Sequence, residues 1–278
     1  MRPRTLYVDG MCMFHRAAAG FTAGEHFVTF NFFRSLRAIV EQLRPTRIVI
    51  ALEGTPQKRL ALDPGYKANR RTEPGDATAE AKVRLFFDQV EESVQLLREH
   101  FPVSVVRHPE LEADDVIARL VRRASRAVLS TIVSTDRDYL QLVAESDGDV
   151  ELYDPVRKCT VNVPDGVGDF VIWKSLRGDA SDCIPRIVPD RLAEQASLDP
   201  TALYELLADE EALEKFKTNV ELVRFADPDD GEAGWERMES SSPRRDWEAV
   251  GLAFTMLGFR SIMSSWTRFV ATFEPLFS

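Results

Sequence analysis

The sequence predicts an α/β protein: a mainly parallel central sheet flanked by helices, with a helical C-terminal region. Three observations carry this. Short runs rich in β-branched residues alternate with amphipathic stretches through the first half. The first four of these runs are each followed, at or shortly after the C-terminal end, by acid. Beyond Pro164 the pattern becomes mostly helical. At 278 residues, 44% hydrophobic and 29% charged, the chain can bury one large core or two modest ones.

The predicted strands, in order, are Thr5–Val8 (TLYV), Arg47–Leu52 (RIVIAL), Val103–His108 (VSVVRH), Thr131–Ser134 (TIVS) and Asp149–Pro155 (DVELYDP). Between them, Phe30–Leu43 and Ala79–Leu97 repeat apolar residues at helical spacing. In the second half LYELLADEEALEKF and WEAVGLAFTMLGF read as helices. The polar, Gly- and Ser-containing stretch Asp227–Pro243 between them reads as a mobile loop. The expected division is a catalytic α/β part over 1–163 and a helical region over 164–278 packed against it.

Composition narrows the class. Three scattered cysteines, Cys12, Cys159 and Cys183, suit neither a disulfide framework nor a zinc site, and fit a reducing cytoplasm. The apolar run before Asp9 is too short for a signal-peptide core, and no later run is long enough to span a bilayer. Thirty-five basic against 45 acidic residues give a formal charge of -10, which taken alone argues against a nucleic-acid partner.

The placement of the acids outweighs that total. Asp9, Glu53, the cluster Glu112, Asp114 and Asp115, and the pair Asp136 and Asp138 all follow predicted strands. In an open parallel sheet those ends lie side by side around a ligand crevice, so the seven acids are expected to converge. Single acids after strands are often turn residues or helix caps, but one cap accounts for one carboxylate, not three. Converging carboxylates must take up protons or hold cations, and oxygen ligands without Cys or His favour Mg2+ or Mn2+. A pair of such ions most often serves phosphodiester hydrolysis. No G-x-x-x-x-G-K-[ST] loop is present, and Met11 stands where a phosphatase-type DxD would need its second acid, which leaves a nuclease. The four histidines have no metal spacing, and Phe14 and Phe21 read as core more readily than as base-stacking platforms.

The order of motifs resembles the bacteriophage and bacterial 5′-nucleases, which include flap endonucleases and the 5′-exonuclease part of DNA polymerase I. The similar segments are YVDG (Tyr7–Gly10) with HRA (His15–Ala17), GYKANR (Gly65–Arg70), EADDVI (Glu112–Ile117), STDRDYLQLV (Ser134–Val143) and GDASDCIP (Gly178–Pro185). The resemblance implies a PIN-like fold, a helical arch over about 66–100, and a helix-three-turn-helix-like element in the C-terminal region. It implies one metal site from Asp9, Glu53, Glu112, Asp114 and Asp115, and a second from Asp136, Asp138, Asp179 and Asp182. Lys67 and Arg70 would help at the scissile phosphate, with Asp115 in the catalytic set. Lys58, Arg59, Tyr66, Lys67, Arg70 and Arg71 would meet DNA, a local cationic patch that answers the charge objection.

Two departures stand out. Glu53 occupies a position where Asp is usual, and Cys183, Arg186, Pro189 and Asp190 replace the Asn and glycines that follow the second-site acids. A potassium site there is weakened, and Arg186 and Arg191 are expected to contact phosphates directly, making duplex binding more salt-sensitive. The expected activity is a metal-dependent 5′-3′ exonuclease and flap endonuclease using two Mg2+ or Mn2+ ions. Its expected setting is DNA replication or repair, as a monomeric, free-standing, phage-type enzyme in a bacterial cytoplasm. Its substrate would be flap, nicked or 5′-ended DNA, with an RNA primer as a further candidate. A PIN-like ribonuclease and a catalytically silent DNA-binding homologue remain alternatives.

Overall fold

The computed structural model describes residues 2–22, 24–70 and 77–277. Five parallel strands form the centre: β1 (Arg4–Asp9), β2 (Arg47–Leu52), β3 (Ser104–Arg107), β4 (Leu129–Val133) and β5 (Val150–Asp154). Two short antiparallel strands absent from the sequence reading, β6 (Cys159–Val161) and β7 (Glu239–Ser240), close the edges. Among the described residues the sheet order is β6-β5-β4-β1-β2-β3-β7. Chain direction across the sheet therefore reverses between β1 and β4, the crevice where ligands of open α/β sheets bind.

Side-chain alternation along the strands builds two cores. Leu6, Val8, Ile48, Ile50 and Val105 point to one face, Tyr7, Val49, Val106 and Ile132 to the other. The first face is covered by α1 (Gly10–Ala18), α2 (Phe27–Leu43) and the second half of α4 (Ala77–His100), through Phe14, Phe32, Phe33, Val90, Val94 and Leu97. The short α3 (Gln57–Leu62) precedes α4, and α5 (Ala113–Arg122) and α6 (Leu140–Ala144) cover the second face.

The helical region contains α7 (Phe170–Arg177), α8 (Asp190–Leu198), α9 (Pro200–Leu206) and α10 (Glu210–Val223). It ends with α11 (Trp247–Met256), α12 (Arg260–Met263) and α13 (Trp266–Phe273). Phe254, Phe269 and Phe273 join Phe101 in the first core, so the C-terminal helices are part of the body.

Three expectations change. LYELLADEEALEKF is two helices, not one, because the Asp209 carboxylate accepts from the Ala212 N–H at 2.8 Å and starts α10 afresh. Asp227–Pro243 is held rather than loose: β7 pairs with β3, Arg237 bridges Asp230 and Glu110, and His108 bonds the Gly234 carbonyl. In the span expected to form an arch, Tyr66 is buried and α4 from Val90 onward lies in the core. Exposed apolar residues of that helix fall in its first half, at Val83, Leu85 and Phe87.

Candidate metal-dependent active site

The strand ends do converge. Asp9, Glu53, Glu112, Asp114, Asp136, Asp138 and Asp179 line one open cleft of about 590 Å³ at the β1–β4 crevice, with Lys67, Arg70 and Lys174 among them. Asp182 lies beside it, its carboxylate bonded to Arg70 and 3.8 Å from the Lys67 Nζ. Nine candidate acids, counting Asp115, thus face Arg59, Lys67, Arg70, Arg137 and Lys174.

Local backbone chemistry puts each acid in place. Asp9 ends β1 and caps α1, accepting from the Cys12 N–H at 3.0 Å, while Ser134 after β4 donates to its other oxygen at 2.9 Å. Glu53 follows β2 and accepts from Ala113 N–H at 2.9 Å, so its longer arm reaches the N-terminus of α5. Gly54 makes this approach possible, since a Cβ there would collide with the His108 and Leu111 carbonyls. Asp136 accepts from the Asp138 N–H at 2.9 Å, which turns both carboxylates into the cleft.

Charge crowding shows in the proton affinities. Glu53 keeps exposed surface at the cleft mouth, yet the protein packed around its carboxyl, then Asp9 and Glu112, push it up to about 8. Burial and Asp115 raise Asp114 well above the usual range. Burial and Asp136 outweigh Lys174 and raise Asp138 to about 6. Burial opposes the ionisation of Asp179 too, but Lys174 and hydrogen bonds from Ser181 hold it down at about 2. Carboxylates that resist ionising together because they lack positive charge are a donor set suited to divalent cations. Glu112, Asp114 and Asp115 offer oxygens within 4.8 Å of one another, but those of Asp115 are already engaged.

Several expected roles are corrected. Asp115 accepts a two-pronged pair from Arg59, both bonds 2.8 Å, plus the N–H groups of Ala226 (2.7 Å) and Glu112 (3.1 Å), and does not line the cleft. Both of its oxygens are thus engaged by Arg59 and backbone N–H groups. Arg59 is 3% exposed and cannot reach DNA. Its five N–H donors go to Asp115 twice, to Glu112 (2.6 Å), and to the carbonyls of Leu222 (3.1 Å) and Arg224 (2.9 Å). Tyr66 is likewise buried, its hydroxyl donating to Glu112 at 3.0 Å. The run of basic residues suggested a solvated patch because sequence carries charge but not the acids that burial brings opposite.

Lys67 and Arg70 do stand at the cleft. Lys67 adopts a left-handed backbone (φ 52°), its N–H bonded to the Asp182 carbonyl at 3.1 Å and its Nζ to Glu112 at 2.6 Å. Lys58 is half-exposed near Asp229, and Arg71 lies outside the described residues. Arg186, after the turn that follows α7, and Arg191, in α8, are exposed, with Arg186 paired to Asp190 at 2.8 Å. Gly178 (φ 72°) opens that turn, and Cys183 adopts a left-handed backbone (φ 62°) within it, a conformation that Asn would take more easily.

Two cleft residues escaped the sequence reading. Lys174 has no motif around it; only its position one α-helical turn before Gly178 and Asp179 could have drawn notice. His15 lines the cleft and stacks on Phe86 of α4 at 4.9 Å. Of the two aromatic candidates, Phe14 is core, stacked on Phe32, whereas Phe21 is 71% exposed in an adjoining hollow with Arg16 and Arg34.

An acid-lined cleft at the switch point of such a sheet, with cations at its rim, is the architecture of a PIN-like nuclease. The chain belongs to the 5′-3′ exonuclease family: residues 4–168 match the model of its N-terminal resolvase-like domain. DNA polymerase I of Synechocystis sp. is 31% identical over 251 residues, 81% of this chain but 24% of that protein. A 5′-3′ exonuclease of Mycobacterium tuberculosis is 30% identical over 177 residues, 56% of this chain and 55% of that one. The chain thus spans about a quarter and about half of these relatives. The bacteriophage T5 flap endonuclease, solved as a pseudo-enzyme–product complex with DNA and metal ions, shares the fold with a TM-score of 0.63. It is 19% identical, over 79% of this chain and 88% of that one.

Proposed function

We propose that this chain is a metal-dependent, structure-specific 5′-nuclease, a 5′-3′ exonuclease and flap endonuclease that hydrolyses DNA phosphodiester bonds in replication or repair. The observation that carries the proposal is the meeting of seven carboxylates from the ends of β1, β2 and β4, the start of α5 and the turn after α7 in one cleft. Asp9, Glu53, Glu112 and Asp114 would hold one divalent ion; Asp136, Asp138, Asp179 and Asp182 would hold the other. Bound there, Mg2+ or Mn2+ would activate water and stabilise the leaving oxygen.

The chain's own residues supply the rest. Lys67 and Arg70 stand at the rim to receive the phosphate and offset charge developing on it. The exposed first half of α4 borders the cleft through the His15–Phe86 stack, where an arch would guide a single strand. Residues 164–278 would grip the duplex, with Arg186 and Arg191 near its phosphates; the lost glycines weaken any potassium site at the turn. The substrate is flap, nicked or 5′-ended DNA, an RNA primer included, and the protein acts as a monomer.

A 5′-labelled DNA flap incubated with Mg2+, Mn2+ or chelator tests this. Cleavage is expected only with metal, and Asp9→Asn and Asp138→Asn should each lower the rate at least a hundredfold. Cleavage of an RNA hairpin but not the flap would favour a ribonuclease. No metal-dependent cleavage of either would overturn the reading.

A further inference from the structure

Both groups of acids are met by cations of the chain itself. In the first, Lys67 and the buried Arg59 each bond Glu112 at 2.6 Å. In the second, Lys174 rises from α7 with 7% of its side chain exposed and sets its ammonium between carboxylates from two separate segments. It bonds Asp138, from the loop after β4, and lies 2.8 Å from Asp179 Oδ2, in the turn after α7. Among the described residues no main-chain donor bridges this pair; the ammonium does.

We infer that Lys174 is the built-in counter-ion of the second acidic group, holding Asp138 and Asp179 together when no metal is present and competing with a divalent ion for them. The inference rests on the metal-dependent reading above. A lysine with a buried stem and head cannot share two carboxylates with a dication, because like charges a few ångströms apart in a desolvated site repel strongly. An ion entering between Asp138 and Asp179 must therefore expel the ammonium. Lys174 thus lowers the affinity of the second group for a dication, and the weaker class of site is assigned to that group.

Calorimetric titration of the metal-free full chain with Mn2+ alone tests this. Wild type is expected to show a tighter and a weaker class of site. Lys174→Met, which keeps the stem and removes the charge, should tighten the weaker class by about tenfold and leave the other within about twofold. Lys174→Gln should do the same while keeping N–H donors. A lysine needed only for packing would not tighten metal binding when lost. An unchanged or looser weaker class in both variants overturns the inference. So does a variant that stays unfolded with Mn2+ present, since the metal should replace the missing charge. If wild type binds no Mn2+ at all, the metal-dependent reading itself fails; if it binds but neither variant tightens, only the role of Lys174 does.

Discussion

Replacing Arg59 by Met is the sharpest test of how the acid cleft is held. The change keeps an unbranched side chain but removes a guanidinium whose five donors are all used. Asp115, with no exposed side-chain surface, would keep only two N–H partners for its charge, and the Leu222 and Arg224 carbonyls would lose theirs. Breaking a buried ion pair by removing one partner typically costs about 3–5 kcal/mol. For a chain of this size that is a fall in melting temperature of about 10 °C. Urea denaturation in chelator at pH 7 measures it. Adding Asp115→Asn, which removes the stranded charge, should recover at least about 1 kcal/mol, a coupling that residues acting separately would not show. A cost below about 1 kcal/mol, as for a solvated cation, with additive behaviour in the double variant, would refute the buried-clamp reasoning and return Arg59 to the DNA-binding face.

Glu53 gives a pH signature. Its carboxyl holds a proton up to about pH 8 in the folded chain but only to its ordinary value near 4.5 when unfolded. Its contribution is therefore most favourable at low pH and declines as pH rises between those limits. Urea midpoints of metal-free wild type relative to Glu53→Gln should fall from pH 5 to pH 8, and Mg2+ should remove the fall; a difference that rises with pH would contradict the crowding. Gly178→Ala should cost about 1–3 kcal/mol, because φ is 72° and the new Cβ would sit 2.6 Å from the Arg186 nitrogen; a neutral result in thermal melts would sink that account. Arg186→Ala should reduce the salt slope of duplex binding by about one unit, and an unchanged slope in fluorescence titrations would mean that Asp190 keeps this arginine from phosphate.

The sheet was legible because β-branched runs of strand length, ended by acids, leave few alternatives: β2 is Arg47–Leu52 in both readings, and β3 and β5 differ only at their ends. β6 and β7 were not, being two or three residues long and stabilised by partners far away in sequence. Seven of the acids were legible as a set, since they follow strands, whereas Asp179 and Asp182 came only with the family resemblance. What sequence did not carry was which of them faces the cleft. Asp114 and Asp115 are adjacent and chemically alike, yet one lines the cavity and the other turns back to Arg59 and the backbone beyond α10. Lys174 was invisible for the same reason: its meaning comes from Asp138, 36 positions earlier, which only the fold brings within reach.

The return of the chain to its starting body constrains how it can be made. α13 packs against α2, more than 220 residues earlier, and β7 pairs with β3 across more than 130. Until the final helices leave the ribosome, Phe33 and Phe101 have no Phe254, Phe269 or Phe273 to meet, and the nascent sheet carries an uncovered greasy flank. Such late, long-range closure is slow and invites sticking during synthesis. This body should therefore complete its folding only once the segment Phe254–Phe273 has been made.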